Sequence, residues 1–123
     1  MNYPDDLLYT EEHVWVETDG ETAKIGITEY ALEQQGEVLY VGLADTGTEV
    51  NAGEPFTEIE FSEMIQEFSC PLSGEVTAVN EELSESPDLI EDNPYEAWIL
   101  ELRLLDPSEV DDLLSETEYE NSL

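Results

Sequence analysis

Short runs of strand-forming residues, each cut off by Gly, Asn or Pro, dominate this chain of 123 residues. That punctuation restricts it to a mainly β fold of many short strands. His13 to Glu17 alternates as His-Val-Trp-Val-Glu, Thr22 to Thr28 reads Thr-Ala-Lys-Ile-Gly-Ile-Thr, and Gly20 marks the turn between them. The pattern predicts a hairpin. Thr28 stands where it can cap a short helix running to Gln35, with Tyr30, Ala31 and Gln34 or Gln35 on one face. Gly36 follows at a C-terminal position that favours positive φ. A strand from Glu37 to Leu43 comes next, and Asp45-Thr46-Gly47 is a turn.

From Pro55 the alternation sends Ile59 and Phe61 inward and Glu58 and Glu60 outward. Residues 56–70 therefore read as a hairpin whose tip lies near Glu63 and Met64. Gly74 to Val79 and Tyr95 to Leu104 supply two more strands, and the polar stretch from Glu81 to Asn93 has room for a helical turn. Asp106-Pro107-Ser108-Glu109 is a helix start, with Asp as N-cap and Pro at the first position. It predicts a C-terminal α-helix over about 107–119, packed through Val110, Leu113, Leu114 and Thr117. Gly36-Glu37-Val38 with Val41 recurs as Gly74-Glu75-Val76 with Val79, which suggests two similar half-sheets folded into a compact sandwich or flattened barrel.

Charge narrows the function. The chain carries 33 Asp plus Glu against 2 Lys plus Arg, a formal net charge of −31. Phosphate binding needs clustered cations, and Lys24 and Arg103 are the only two, so nucleic acid and anionic membrane surfaces are excluded as partners. A chain of this size should expose roughly 6,700 Å² when folded and form one domain, 1–123, around one ordinary core. At that area the carboxylates lie about 14 Å apart, under two Debye lengths at physiological salt. Self-repulsion should weaken the fold at low ionic strength. The even spread of acid along the chain favours adaptation to a saline (halophilic) cytoplasm over docking on a basic partner. No apolar run is long enough to span a membrane, and the start has no signal-peptide pattern. The single Cys70 cannot form an internal disulfide, so the expected location is cytoplasmic.

Tyr9-Thr10-Glu11-Glu12-His13-Val14-Trp15, Gly26-Ile27-Thr28-Glu29-Tyr30-Ala31, Pro71-Leu72-Ser73-Gly74-Glu75-Val76, and Asn93-Pro94-Tyr95 with Trp98 together carry a resemblance to the glycine cleavage system H-protein family. It closes with Asp106-Pro107-Ser108-Glu109-Val110-Asp111-Asp112-Leu113-Leu114 and Glu118-Tyr119-Glu120, so it runs in order from about Tyr9 to Tyr119. It implies a lipoyl-domain-like fold of the barrel-sandwich hybrid or hammerhead type: two small antiparallel sheets with short helices and a C-terminal α-helix. It also implies a role in glycine decarboxylation, that is, glycine catabolism. A family lysine on a hairpin tip carries lipoate as a swinging arm. The arm moves an aminomethyl group from the decarboxylase to the aminomethyltransferase and is reoxidised by dihydrolipoyl dehydrogenase.

The family pattern around that lysine is Glu-Ser-Val-Lys-Ala, eleven residues before the Gly of the Pro-x-Ser-Gly turn. Counting eleven back from Gly74 lands on Glu63, within Glu60-Phe61-Ser62-Glu63-Met64. A carboxylate cannot accept the lipoyl acyl group as an amide. No lipoate cofactor is therefore expected on this chain. The flanking Met64, Ile65, Gln66, Glu67 and Phe68 also depart from the small residues that normally follow the lysine, as in a diverged, non-lipoylated paralogue.

Other residues have plain structural readings. Glu58, Glu60, Glu63 and Glu67 are a dense carboxylate set, but they lack the tight Gly-containing loop of an oxygen-ligand cation site, and no metal is expected. Cys70 could act as a thiol replacing the lost dithiolane near the tip, yet no cation neighbours it, and it reads as a small buried residue. His13 lacks the partners that metal or triad chemistry needs and reads as a packing residue beside Trp15; Trp15 and Trp98 read as core or core-edge aromatics. The expectation is a non-enzymatic pseudo-carrier that docks through Glu60, Ser62, Glu63 and Met64. Its partners would be glycine-cleavage enzymes or a lipoate ligase or transferase. The alternatives are a genuine H protein carrying the aminomethyl group and an independent catalyst using Glu63 or Cys70.

Overall fold

The computed structural model describes residues 3–123, without the side chains of Gln34 and Gln35. The expected hairpin is present as β2 (Val14–Thr18) and β3 (Thr22–Ile27), following a short β1 (Leu8–Tyr9). Gly20 turns it at φ +98, and Asp19 Oδ1 accepts the amides of Glu21 and Thr22. α1 (Glu29–Gln35) leads to β4 (Val38–Val41) and β5 (Glu49–Val50). The long hairpin is β6 (Pro55–Phe61) with β7 (Ile65–Ser69), and β8 (Gly74–Val79) follows. Two short helices, α2 (Glu82–Glu85) and α3 (Leu89–Asp92), precede β9 (Leu100–Leu104). A 3-10 helix at Pro107–Asp112 and α4 (Glu116–Ser122) close the chain.

All strand pairs are antiparallel and form two sheets. Six strands order as β1-β2-β3-β9-β8-β5, and three as β4-β6-β7. The main core lies between them, with Ile25, Ile27, Ile59, Phe68, Leu72, Ile99 and Leu100 all but fully buried. The half-sheets expected to be similar are thus unequal. The repeated Gly-Glu-Val triplets also serve different ends. Gly36 ends α1 at φ +86, whereas Gly74 sits inside β8, where a Cβ would stand 2.7 Å from the Arg103 carbonyl oxygen.

Two further expectations are corrected. The strand predicted from Tyr95 begins only at Leu100, because the Glu96 and Ala97 amides turn back to the Asn93 carbonyl. The single C-terminal helix is split. Asp106 caps the 3-10 turn as expected, accepting from the Ser108 amide at 3.1 Å, but Leu114 then pairs with Tyr9 through two 2.8 Å backbone hydrogen bonds. Ser115 starts α4 afresh with a reciprocal Ser115–Glu118 capping box. Thr117 is consequently exposed, and Tyr119 is the buried residue of that helix.

That split creates a second, aromatic cluster on the outer side of β2. Trp15 joins Tyr3, Leu7, Tyr9 and Tyr119 there, with the Tyr9 and Tyr119 rings stacked at 4.9 Å. Trp15 crosses its register partner Gly26, where any Cβ would stand 2.5 Å from the indole, and its Nε1 donates to the Pro94 carbonyl at 2.9 Å. Alternation along β2 therefore buries both faces of the strand instead of one.

Candidate functional site

The β6–β7 hairpin presents its tip as the sequence predicts. Phe61 and Met64 close the turn through a 2.7 Å backbone hydrogen bond, leaving Ser62, Glu63 and Met64 exposed. Alternation along β6 buries Ile59 and Phe61 and exposes Glu58 and Glu60. The register Glu58↔Glu67 and Glu60↔Ile65 then carries the outward rows onto β7.

The tip is tied to the end of α1. The Ser62 amide donates to the Glu37 carbonyl at 2.8 Å, and the Glu37 amide donates to Ser62 Oγ at 3.2 Å. Gly36 permits this approach: a Cβ there would stand 2.6 Å from Ser62 Oγ. α1 itself differs from expectation in its cap. Thr28 is the N-cap residue without a side-chain capping bond, because its Oγ1 is engaged by the Tyr119 hydroxyl at 2.8 Å. The helix turns Ala31 and Leu32 into the core.

Large apolar side chains stand open around the tip. Leu39 is 49% exposed, Tyr40 54%, Met64 44% and Ile65 57%. A register shift between Val38 and Tyr40 accounts for the exposure of two successive residues on β4. Tyr40 pairs with Glu60, which pairs in turn with Ile65, so these three form one row across the small sheet. Sequence reasoning found Glu60, Ser62, Glu63 and Met64 but missed Leu39, Tyr40 and Ile65. Their exposure follows from the register across β4, β6 and β7, which the sequence does not signal locally.

The remaining candidates lie elsewhere. Lys24 is on β3 in the other sheet, flanked in register by Glu17 and Glu101, with its ammonium 5.5 Å from the ring centre of the half-buried Trp98. Arg103 is on the same sheet and pairs with Glu75 at 3.1 Å. Cys70 is not near the tip: it follows β7 at the opposite end of the hairpin, is 1% exposed, and donates its thiol to the Leu72 carbonyl. Burial pushes that thiol up to about 11, which makes it a poor nucleophile. The adjoining hollow, about 440 Å³, is lined by Tyr9, Cys70, Pro71, Leu113 and Leu114.

His13 is more than a packing residue, and it touches Tyr30 and Tyr119. Its backbone adopts φ +72, and its Nδ1 lies 2.7 Å from the Tyr119 hydroxyl. Another motif bond joins Glu109 to the turn before β8: its carboxylate accepts the Ser73 amide at 2.9 Å and the Ser73 hydroxyl at 3.1 Å. Among the described residues, no group of three His, Cys, Asp or Glu side chains is gathered to hold a metal. No helix there is long and apolar enough to cross a membrane.

Comparison with known proteins gives a consistent result. The family model for glycine cleavage H-protein matches residues 7–123. The glycine cleavage system H protein of Geobacillus sp. (strain WCH70) is 41% identical over 121 residues, covering 98% of this chain and 95% of that protein. Its counterpart from Bacillus cytotoxicus is 43% identical over 120 residues, covering 97% and 94%. The crystal structure of a glycine cleavage system H protein from Mycobacterium marinum superposes with a TM-score of 0.89 at 30% identity, covering 98% of this chain and all of that one. That likeness makes the architecture, two antiparallel sheets with short helices and a C-terminal helix, a lipoyl-domain-like one.

Proposed function

Because the chain belongs to the glycine cleavage H-protein family, whose members are lipoyl carriers and not catalysts, we propose that it is a non-lipoylated pseudo-carrier. It docks on glycine-cleavage enzymes or on a lipoate-attaching enzyme without itself moving an aminomethyl group. The observation that carries this reading is Glu63 at the exposed hairpin tip, at the position where the family pattern expects the modified lysine. A carboxylate offers no amine to acylate. Lys24 is the only lysine, and it lies in the strand core of the other sheet, paired on both sides. The residues at the tip therefore do not fit the lipoyl group.

Framework motifs that resemble the family's, beside an unfit tip, support binding without carriage. Pro71-Leu72-Ser73-Gly74 is held by Glu109, and Trp15 packs in an aromatic cluster with Tyr3, Tyr9 and Tyr119. The tip is braced by Glu37 as a functional loop needs to be. The expected partners are the decarboxylase, the aminomethyltransferase, dihydrolipoyl dehydrogenase or lipoate ligase, in the cytoplasm.

Full-length identity of 41–43% to proteins named H protein favours a second reading, a genuine carrier. Intact-mass spectrometry of protein purified from its native cell separates the two. The pseudo-carrier gives the unmodified mass, and a lipoyl adduct would overturn it. Purified glycine-cleavage enzymes and lipoate ligase should include at least one that binds the unmodified chain.

A further inference from the structure

Four of the six large apolar side chains that stand exposed among the described residues, Leu39, Tyr40, Met64 and Ile65, surround the β6–β7 tip. The outward row that holds Tyr40 and Ile65 also holds Glu60. The next row along the hairpin is Glu58 and Glu67, and Glu37 and Glu63 stand at the turn. Both cations of the chain are on the other sheet. The tip thus combines an apolar centre with an unrelieved carboxylate frame, a composition that marks a contact surface when it is contiguous.

Charge selects the occupant. A second copy would bring the same carboxylates face to face on chains of net charge −31, and juxtaposed like charges oppose such a contact. An anionic ligand or lipid surface fails for the same reason. The complementary partner is a protein surface whose apolar contact is ringed by Lys and Arg.

We infer that Leu39, Tyr40, Met64 and Ile65 form the energetic centre of a docking surface for a basic-rimmed partner protein, with Glu58, Glu60, Glu63 and Glu67 steering its approach. This rests on the pseudo-carrier reading and assigns recognition to the apolar patch, not to the residue at position 63. The patch governs the dissociation rate; the acidic frame governs association and its salt dependence.

The test uses the full chain, with the decarboxylase, aminomethyltransferase, dihydrolipoyl dehydrogenase and lipoate ligase of the same cell as purified probes. Binding is measured by surface plasmon resonance from 0.05 to 1 M salt. Met64→Ser/Ile65→Ser changes only exposed side chains, so the fold is retained, as circular dichroism checks. It should weaken binding to the recognised enzyme about tenfold or more, mainly through faster dissociation. Glu58→Gln/Glu60→Gln/Glu67→Gln should slow association and flatten the salt dependence. Leu105→Ser, another exposed apolar position, should bind as wild type does.

Wild-type binding that survives Met64→Ser/Ile65→Ser unchanged overturns the patch and leaves the pseudo-carrier reading standing. Wild-type failure to bind any of the four enzymes overturns both. Sedimentation showing dimers that Met64→Ser/Ile65→Ser abolishes would assign the patch to a second copy and overturn the basic partner.

Discussion

The Tyr119 hydroxyl lies 2.7 Å from His13 Nδ1, joining residues 106 positions apart in the chain. The same hydroxyl lies 2.8 Å from Thr28 Oγ1, so one phenol near the C-terminus fastens the turn before β2 to the start of α1. Tyr119 and Thr28 are fully buried. Tyr119→Phe keeps the ring stacking but strands the Thr28 hydroxyl, and it should cost about 1–3 kcal/mol of stability. Urea unfolding monitored by tryptophan fluorescence at fixed salt measures that loss.

His13 itself reports on this latch. Burial holds its imidazole below the ordinary value of 6.5, with Glu12 opposing the shift; Glu11, Tyr30 and Tyr119 are the other titratable groups around it. The folded pKa lies below the unfolded one, so its contribution to stability is complete above about pH 6.5 and is lost as pH falls through the folded value. His13 is the only histidine, so a single imidazole resonance followed by NMR should titrate with a midpoint below 6.5.

How much of this was legible beforehand differs by element. The β6–β7 hairpin and its tip could be read because alternation and burial agree residue by residue from Thr57 to Phe61. The C-terminal helix could not. Asp106-Pro107-Ser108-Glu109 is a strong start signal, but Ser115 and Glu118 form a second one a few residues later, and only the pairing of Leu114 with Tyr9 decides that the chain is extended between them. His13 and Thr28 were assigned local roles for the same reason: Tyr119, their shared partner, is remote in sequence. The exposed Leu39 depends on the register shift in β4, which leaves no local signature.

Gly36 tests the brace beneath the tip. Its φ of +86 and the 2.6 Å approach that a Cβ would make to Ser62 Oγ act together. Gly36→Ala should cost about 1 kcal/mol or more. It should also speed hydrogen exchange at the Glu37 and Ser62 amides, which NMR resolves, with little change in the six-stranded sheet.

Glu63→Lys tests whether an amine at the hairpin tip is enough for lipoylation. Incubated with lipoate, ATP and lipoate ligase, the variant should gain one lipoyl group at position 63 by peptide mass mapping, and the wild-type chain should gain none. A variant that stays bare would place the loss in the surroundings as well, where Met64 and Ile65 replace the family's small residues.

The carboxylates set the ionic conditions for all these measurements. One ion pair, Arg103 with Glu75, is present among the described residues, against 33 acids. Raising salt from about 0.01 M to 1 M shortens the Debye length from roughly 30 Å to 3 Å. The thermal midpoint should rise over that range, and calorimetry should show the rise with sodium or potassium chloride alike.

Screening has a second effect, visible at the sheet edges. β1, at one edge of the large sheet, is covered at Tyr9 by Leu114. β7, at the edge of the small sheet, pairs with β6 alone among the described strands, and its outer backbone groups are a template for another chain. Its guard is electrostatic: Glu67 on the strand and the acidic frame around it. The ions that firm the fold also dismantle that guard, so colloidal behaviour and folding stability answer salt in opposite directions. Concentrated brine gives the sturdiest molecule and the one most prone to stack edge to edge.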